Sequence, residues 1–133
     1  MSMKPEGGTQ TAPREYPMRL LNLAVVLAAI SAILHLYIGS VIIGGILGIP
    51  LILIAAVYLG GIVLIEANYR RDLWLKVGLG WVALLIVLWI PSALVNATGT
   101  RDPFAYLDKA FEAVLLVLLV RIRVVRTNPI KVG

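Results

Sequence analysis

The chain has 133 residues, of which 60% are hydrophobic and only 14% are charged. A soluble domain is about half apolar and about a quarter charged, so this composition excludes an ordinary water-soluble protein and predicts one surrounded by lipid. Cysteine is absent, which excludes disulfides, thiolate metal sites and cysteine nucleophiles, and the basic residues behind the net charge of +5 flank apolar runs instead of forming a nucleic-acid-binding patch.

The first segment, residues 1–17, is rich in proline, glycine and polar residues and is predicted to be a flexible tail. An apolar run follows at 20–43. At about 1.5 Å of rise per residue, a helix of this length crosses a hydrocarbon core of about 30 Å. A secretory signal peptide is the alternative, but its apolar region should have only about 7–15 residues, which is shorter than this run.

Glycine and proline residues between the later apolar runs divide the rest of the chain into segments. Gly44, Gly48 and Pro50 predict a tight, uncharged hairpin, and Pro103 is suited to the first position of a helix, where its missing N–H costs nothing. The predicted organisation is a tail at 1–17, a transmembrane domain at 18–123 with spans at about 20–43, 46–65, 73–95 and 103–120, and a basic tail at 124–133.

The spans are predicted to be helices and not barrel strands. Lipid offers no partner for backbone N–H and C=O groups, so each span must satisfy them internally. Barrel strands would be about half as long and would alternate apolar with polar residues, which these runs do not. The expected fold is therefore an all-α, integral membrane four-helix bundle.

Lysine and arginine predict the orientation of this bundle. The two loops on one side contain only Arg101 of these residues, and the other side contains the rest. The positive-inside rule places both termini in the cytoplasm, which predicts a multi-pass protein of the plasma membrane.

Small residues predict where the helices approach one another. Ala56 and Gly60 are four positions apart inside the second span, a spacing that allows close helix packing. Gly44 and Gly48 have the same spacing, but we expect them to build the turn.

Four titratable residues lie inside predicted spans, where a charge costs about 2.5–3.5 kcal/mol at mid-helix. They are His35, Asp108, Lys109 and Glu112. Asp108 and Glu112 are one turn apart on the same helix face, and His35 is at a similar depth in the outer half of the first span. The three residues His35, Asp108 and Glu112 are predicted to converge in an outward-opening polar pocket, with Lys109, Trp89 and Tyr37 nearby.

Two interpretations of this pocket stay open. It could bind a proton, a metal, a haem or a quinone headgroup. Alternatively, Lys109 neutralises the acids and His35 hydrogen-bonds a carbonyl or a carboxylate, which is the usual arrangement in membranes. One histidine and two carboxylates could form a facial triad for non-haem iron, but His35 and the acids are on different helices and show no ligand spacing, so no metal is assigned. Haem with two histidine ligands would need a second histidine from another chain. The cofactor is thus undetermined, with haem or quinone as the candidates.

The order of several short segments resembles a family of small four-span archaeal membrane proteins that is well represented in haloarchaea. The segments are ILHL at 33–36 followed by Gly39, LGGI at 59–62 leading to YRR at 69–71, IVLW at 86–89, and DK at 108–109. The resemblance covers about residues 20–123 and implies four spans, but no substrate, since the family has no assigned activity. Glu112 departs from the pattern, which has an uncharged polar residue near this position.

The short loops and scarce polar residues leave little with which to bind a water-soluble substrate. We therefore expect a non-enzymatic accessory or assembly subunit of a larger membrane complex, for example a respiratory one. Its partners would be the lipid bilayer and either other membrane protein subunits or further copies of the chain, and not nucleic acid. The alternative is a small redox or carrier protein that binds haem or quinone in the outer pocket.

Overall fold

A computed structural model describes residues 16–95 and 103–127, and this part of the chain is almost entirely helical. The helices are α1 (Met18–Tyr37), which continues as a π-helical segment (Ile38–Ile43), α2 (Gly45–Glu66), α3 (Arg71–Val95) and α4 (Pro103–Thr127). The expectations for the N-terminal tail up to residue 15, the loop at 96–102 and the last six positions lie outside the described residues. The all-α class predicted from the sequence is confirmed.

Three helical segments are long and apolar enough to cross a membrane: Met18–Ile43, Gly45–Glu66 and Arg71–Pro91, with mean hydropathies of 2.3, 2.5 and 2.2. The length and composition of these helices, found among the described residues, support a membrane protein with transmembrane helices. α4 is as long as α3, but Asp108, Lys109 and Glu112 in its first half and the arginines in its second half keep it out of this group.

The end of α4 differs from the predicted end of the fourth span. The helix continues to Thr127 instead of stopping near residue 120. The reason is packing: Leu119 and Ile122 are buried in the core, and Arg126 donates a hydrogen bond to Asp72 of α3. These contacts support one further helical stretch inside what the sequence predicted to be a basic tail.

The core is an apolar seam between the helices. α1 contributes Leu21, Ala24 and Leu27 at intervals of three, and α4 contributes Leu115, Leu119 and Ile122 at intervals of four and three, which is the spacing of one helix face. Val82 and Leu85 of α3 complete this seam. α1 packs mainly on α2 and α4, and α4 also packs on α3.

The turn between α1 and α2 depends on glycines in two ways. Gly44 and Gly45 have φ angles of +63° and +55°, which residues with a Cβ rarely adopt. Gly39 and Gly48 instead bring the two backbones together, because a Cβ on Gly48 would overlap the carbonyl oxygen of Gly39. The expectation that Gly48 only builds the turn is therefore wrong, since Gly48 is a helix-packing position.

The predicted packing role of Ala56 and Gly60 is also wrong within this chain. The face of α2 that meets the bundle carries Gly48, Ala55 and Tyr58, so Ala56 and Gly60 point away from it and are exposed. A Cβ at Gly60 would have no neighbour within 4 Å among the described residues.

Candidate functional site: a buried polar cluster

The predicted polar residues occupy core positions of the bundle. On α4, Asp108 and Glu112 continue the face that carries Leu115 and Leu119, so the core seam changes from apolar to polar toward the start of this helix. On α1, His35 continues the buried face in the same way. We call the resulting group the buried polar cluster; its members are His35, Tyr58, Asp108, Lys109 and Glu112.

His35 is surrounded by oxygen atoms. Its Nδ1 lies 2.9 Å from the backbone carbonyl oxygen of Ser31, one turn earlier in α1, and 3.4 Å from Oδ1 of Asp108. Its Nε2 lies 3.7 Å from Oε1 of Glu112. Because a carbonyl oxygen can only accept, Nδ1 donates to Ser31 and this bond fixes the ring between the two acids.

Glu112 of α4 contacts side chains from two other helices. Tyr58 of α2 donates its hydroxyl proton to Oε1 at 3.0 Å, and Lys109 donates to Oε2 at 2.6 Å. The ammonium of Lys109 is also 3.3 Å from Oδ2 of Asp108. Oε1 of Glu112 therefore links α4 to α2 through Tyr58 and lies near His35 of α1, while Oε2 accepts the bond from Lys109 within α4, and such charge-assisted bonds are stronger than neutral ones.

The cluster is enclosed by protein. The side chains of His35, Asp108 and Glu112 are at most 3% exposed, and that of Lys109 is 15% exposed. The sequence predicted an outward-opening pocket at these residues, and among the described residues their side chains are almost fully buried. Buried charges are costly unless they are paired and hydrogen-bonded, and the pairing seen here meets that requirement.

The charges of the cluster nearly cancel. Two carboxylates face one ammonium, so the sum is one negative charge when the imidazole of His35 is neutral and zero when it is protonated. The residual charge would attract a proton to His35 or a small cation to the acids.

The geometry also admits a metal. One ligand atom from each of His35, Asp108 and Glu112 lies within 4.8 Å of the others, so the fold brings together one histidine and two carboxylates whose spacing in the sequence showed no ligand pattern. Oδ1 of Asp108 accepts no hydrogen bond from the described residues. However, Lys109 already occupies Oε2 of Glu112 at 2.6 Å, and its positive charge opposes a cation there.

The structure brings together the four titratable residues predicted to lie near one another. Tyr37 is exposed and packs on Phe104, with ring centroids 5.7 Å apart, and Trp89 packs edge-on against Tyr106 at 5.4 Å. Sequence reasoning missed Tyr58. The signal was present, because Tyr58 carries the only side-chain hydroxyl in the run 46–65.

Compared with protein-family models, with curated proteins and with solved structures, the chain matches none at a significant level.

Proposed function

We propose that this protein is a non-enzymatic accessory or assembly subunit of a larger membrane complex. The observation that carries the proposal is how little of each candidate span is buried within the chain. In the most apolar stretch of the three spans, only 33%, 17% and 11% of the residues are buried. Most of the surface of these helices is thus available to lipid or to other subunits.

The exposed glycine in α2 supports a protein partner over lipid alone. Glycine in the middle of a helix is less favourable than alanine by about 0.5–1 kcal/mol, and Gly60 gains no close packing within the described chain in return. In membranes, small residues at the spacing of Ala56 and Gly60 are typical of helix–helix interfaces.

We propose further that α4 is the fourth span and that both termini are cytoplasmic. α4 packs along α1 and α3, and its charged side chains Asp108 and Glu112 point into the bundle and not outward. Intramembrane charges in proteins are almost always turned inward in this way. The orientation depends on the positive-inside rule, as does the assignment to the plasma membrane. We also propose that the chain belongs to the family of small four-span archaeal membrane proteins that its sequence resembles.

In this proposal the buried polar cluster has a structural task. Lipid-embedded helices are not driven together by the hydrophobic effect, so packing and interhelical hydrogen bonds must hold them. The bond from Tyr58 to Glu112 fixes α2 and α4 relative to each other, and the bond from Lys109, one turn earlier in α4, holds the carboxylate of Glu112 in position. The cluster would thereby present a defined outer surface to the partner subunits.

A haem or quinone carrier is the second function to test, and the geometry gives it less support. Both nitrogens of His35 face protein oxygens, and the acids are almost fully enclosed. An iron ligand or a bound headgroup would have to displace these contacts. A reduced-minus-oxidised spectrum of protein purified from native membranes tests this alternative, and a haem band would favour it over a subunit role.

The subunit proposal can be tested by photo-crosslinking, because the native chain has no cysteine. A single cysteine at Gly60 is coupled to a benzophenone maleimide in native membranes, irradiated, and analysed by mass spectrometry. Ile33→Cys, on the exposed face of α1, and Ala55→Cys, on the buried face of α2, are the matched controls.

We expect a protein adduct from Gly60→Cys and a much weaker one from either control. An adduct containing only a second copy of the chain would mean that the partner is the chain itself, in a homo-oligomer, and not another subunit. Lipid adducts alone, at the same level for Gly60→Cys and Ile33→Cys, would overturn the proposal.

A further inference from the structure

A second group of charges lies at the opposite end of the bundle, where α1 and α3 begin and α4 ends. These charges surround a cavity of about 280 Å³, which we call the basic cleft. Its polar lining consists of Tyr16, Asp72, Lys76, Arg123 and Arg126, and its apolar lining consists of Leu75, Leu79, Leu119 and Ile122.

The basic cleft has an excess of positive charge. Among residues 16–95 and 103–127, three cations and one carboxylate line it, a sum of two positive charges. Asp72 is shared, because it pairs with Lys76 at 2.8 Å and also with Arg126. One carboxylate therefore faces two cations. Arg123 of α4 adds a third positive charge to the lining.

The charged groups remain accessible, unlike those of the buried polar cluster. The side chains of Lys76 and Asp72 are 50% and 49% exposed, and that of Arg126 is 30% exposed. The guanidinium of Arg126 also lies 4.4 Å from the ring centroid of Tyr16, a cation–π contact that holds it at the cleft. An incoming anion can reach these cations without opening the fold.

The apolar lining indicates what kind of anion fits. The four apolar side chains come from α3 and α4, and Leu75 lies within a candidate membrane span. Leu75 and Leu119 also line a neighbouring, almost wholly apolar cavity of about 80 Å³. A ligand with an anionic head and an apolar tail satisfies both surfaces, whereas free phosphate would satisfy only the cations.

We propose that the basic cleft binds the phosphate headgroup of an anionic phospholipid, with the acyl chains lying along the apolar lining. Basic pockets between transmembrane helices are known to accept such headgroups on the cytoplasmic side, where anionic lipids are concentrated. The positive-inside prediction places the cleft on that side. Lys76 and Arg123 contact the phosphate from α3 and α4, and Arg126, fixed by Asp72 and Tyr16, borders it.

Native mass spectrometry of the full chain in mild detergent tests the proposal, with dioleoylphosphatidylglycerol as the anionic lipid. Dioleoylphosphatidylcholine has the same acyl chains and a phosphate but no net charge, and inorganic phosphate has the charge but no chains. The variants are Lys76→Gln and Arg123→Gln. The matched control is Arg121→Gln, which removes the same charge from α4 at a position outside the cleft lining.

We expect one tightly bound phosphatidylglycerol, weaker binding of phosphatidylcholine, and no displacement by inorganic phosphate at an equal concentration. Each cleft variant should weaken phosphatidylglycerol binding about fivefold, which is the effect of one basic residue near an anionic surface. Asp72→Asn should strengthen it, because the cleft then has three net positive charges. A gain in affinity cannot result from misfolding.

Three results would overturn the proposal. Equal binding of both lipids would mean that the cations do not select the headgroup. Displacement by inorganic phosphate at an equal concentration would mean a free-anion site. An equal loss with Arg121→Gln would mean that the surface charge as a whole attracts the lipid and that the cleft is not a site.

Discussion

The two ends of the bundle use similar charged residues in opposite ways. At one end His35, Asp108 and Glu112 are at most 3% exposed and contact one another across helices. At the other end Asp72 and Lys76 are about half exposed and surround an open cleft. The backbone differs as well, because Gly39 and Gly48 bring α1 and α2 into direct contact at the first end.

Desolvation explains what this difference means. A buried charge has lost its water, so removing its partner leaves it uncompensated and destabilises the fold strongly. A half-exposed ion pair keeps much of its water and contributes about 0–1 kcal/mol. The closed end is therefore expected to determine stability, and the open end to keep its charges available for a ligand.

The largest effect is expected from Glu112→Gln. The change removes the charge that pairs with Lys109 at 2.6 Å and leaves that ammonium half-compensated inside the bundle. We expect a loss of about 3–5 kcal/mol in unfolding free energy, measured by thermal or denaturant unfolding in detergent. The double variant Glu112→Gln/Asp108→Asn should lose more than the single one, because it also removes the carboxylate that lies 3.3 Å from the ammonium of Lys109 and leaves that cation alone. Equal stability of both variants would show that the cluster is not electrostatically coupled.

Gly48→Ala should have the next largest effect. Its Cβ would overlap the backbone carbonyl of Gly39, and backbone cannot move aside as a flexible side chain can. Overpacking of this kind costs about 1–3 kcal/mol. The matched control is Gly60→Ala in the same helix, where the added Cβ meets nothing within 4 Å. That variant should be neutral or more stable by about 0.5–1 kcal/mol, since alanine favours a helix.

Opposite signs for the two glycine variants would confirm that α2 turns Gly48, and not Gly60, toward the bundle. The sequence could not show this. α2 is apolar on all sides, so it has no polar face from which its rotation could be predicted. The length of the apolar run predicts how deep each α2 residue lies in the membrane, but it does not predict which side of the helix faces the bundle.

α4 shows the contrary case. Its charged residues interrupt an apolar helix at a spacing of four, so the shared face of Asp108 and Glu112 could be predicted. Their depth matched that of His35, and the structure brings the three together. Tyr37 was at a suitable depth but lies on the exposed side of α1. The hydrogen bond from Tyr58 depends on the rotation of α2 and was missed for that reason.

Tyr58→Phe tests this bond with the smallest possible change of shape. The ring stays in the core, while Oε1 of Glu112 loses the donor that lies 3.0 Å away. We expect a loss of about 1–2 kcal/mol in unfolding free energy, because Glu112 keeps its bond to Lys109. Tyr37→Phe removes an exposed hydroxyl and is the control, with no change expected. Equal values for the two variants would remove Tyr58 from the buried polar cluster.

The smallest effect on stability is expected at the open end, from Asp72→Asn. The variant breaks two ion pairs at once, to Lys76 and to Arg126, which is more contacts than Tyr58→Phe loses. Because all three side chains are 30–50% exposed, we still expect a loss of at most about 1 kcal/mol.

Salt distinguishes the two ends further. At 1 M ionic strength the Debye length falls to about 3 Å, so the difference between wild type and Asp72→Asn should disappear. The loss in Glu112→Gln should persist at the same salt, since mobile ions do not reach a buried pair. If Asp72→Asn cost several kcal/mol and salt did not reduce it, the open end would hold the helices together as the closed end does, and the contrast between the two ends would be wrong.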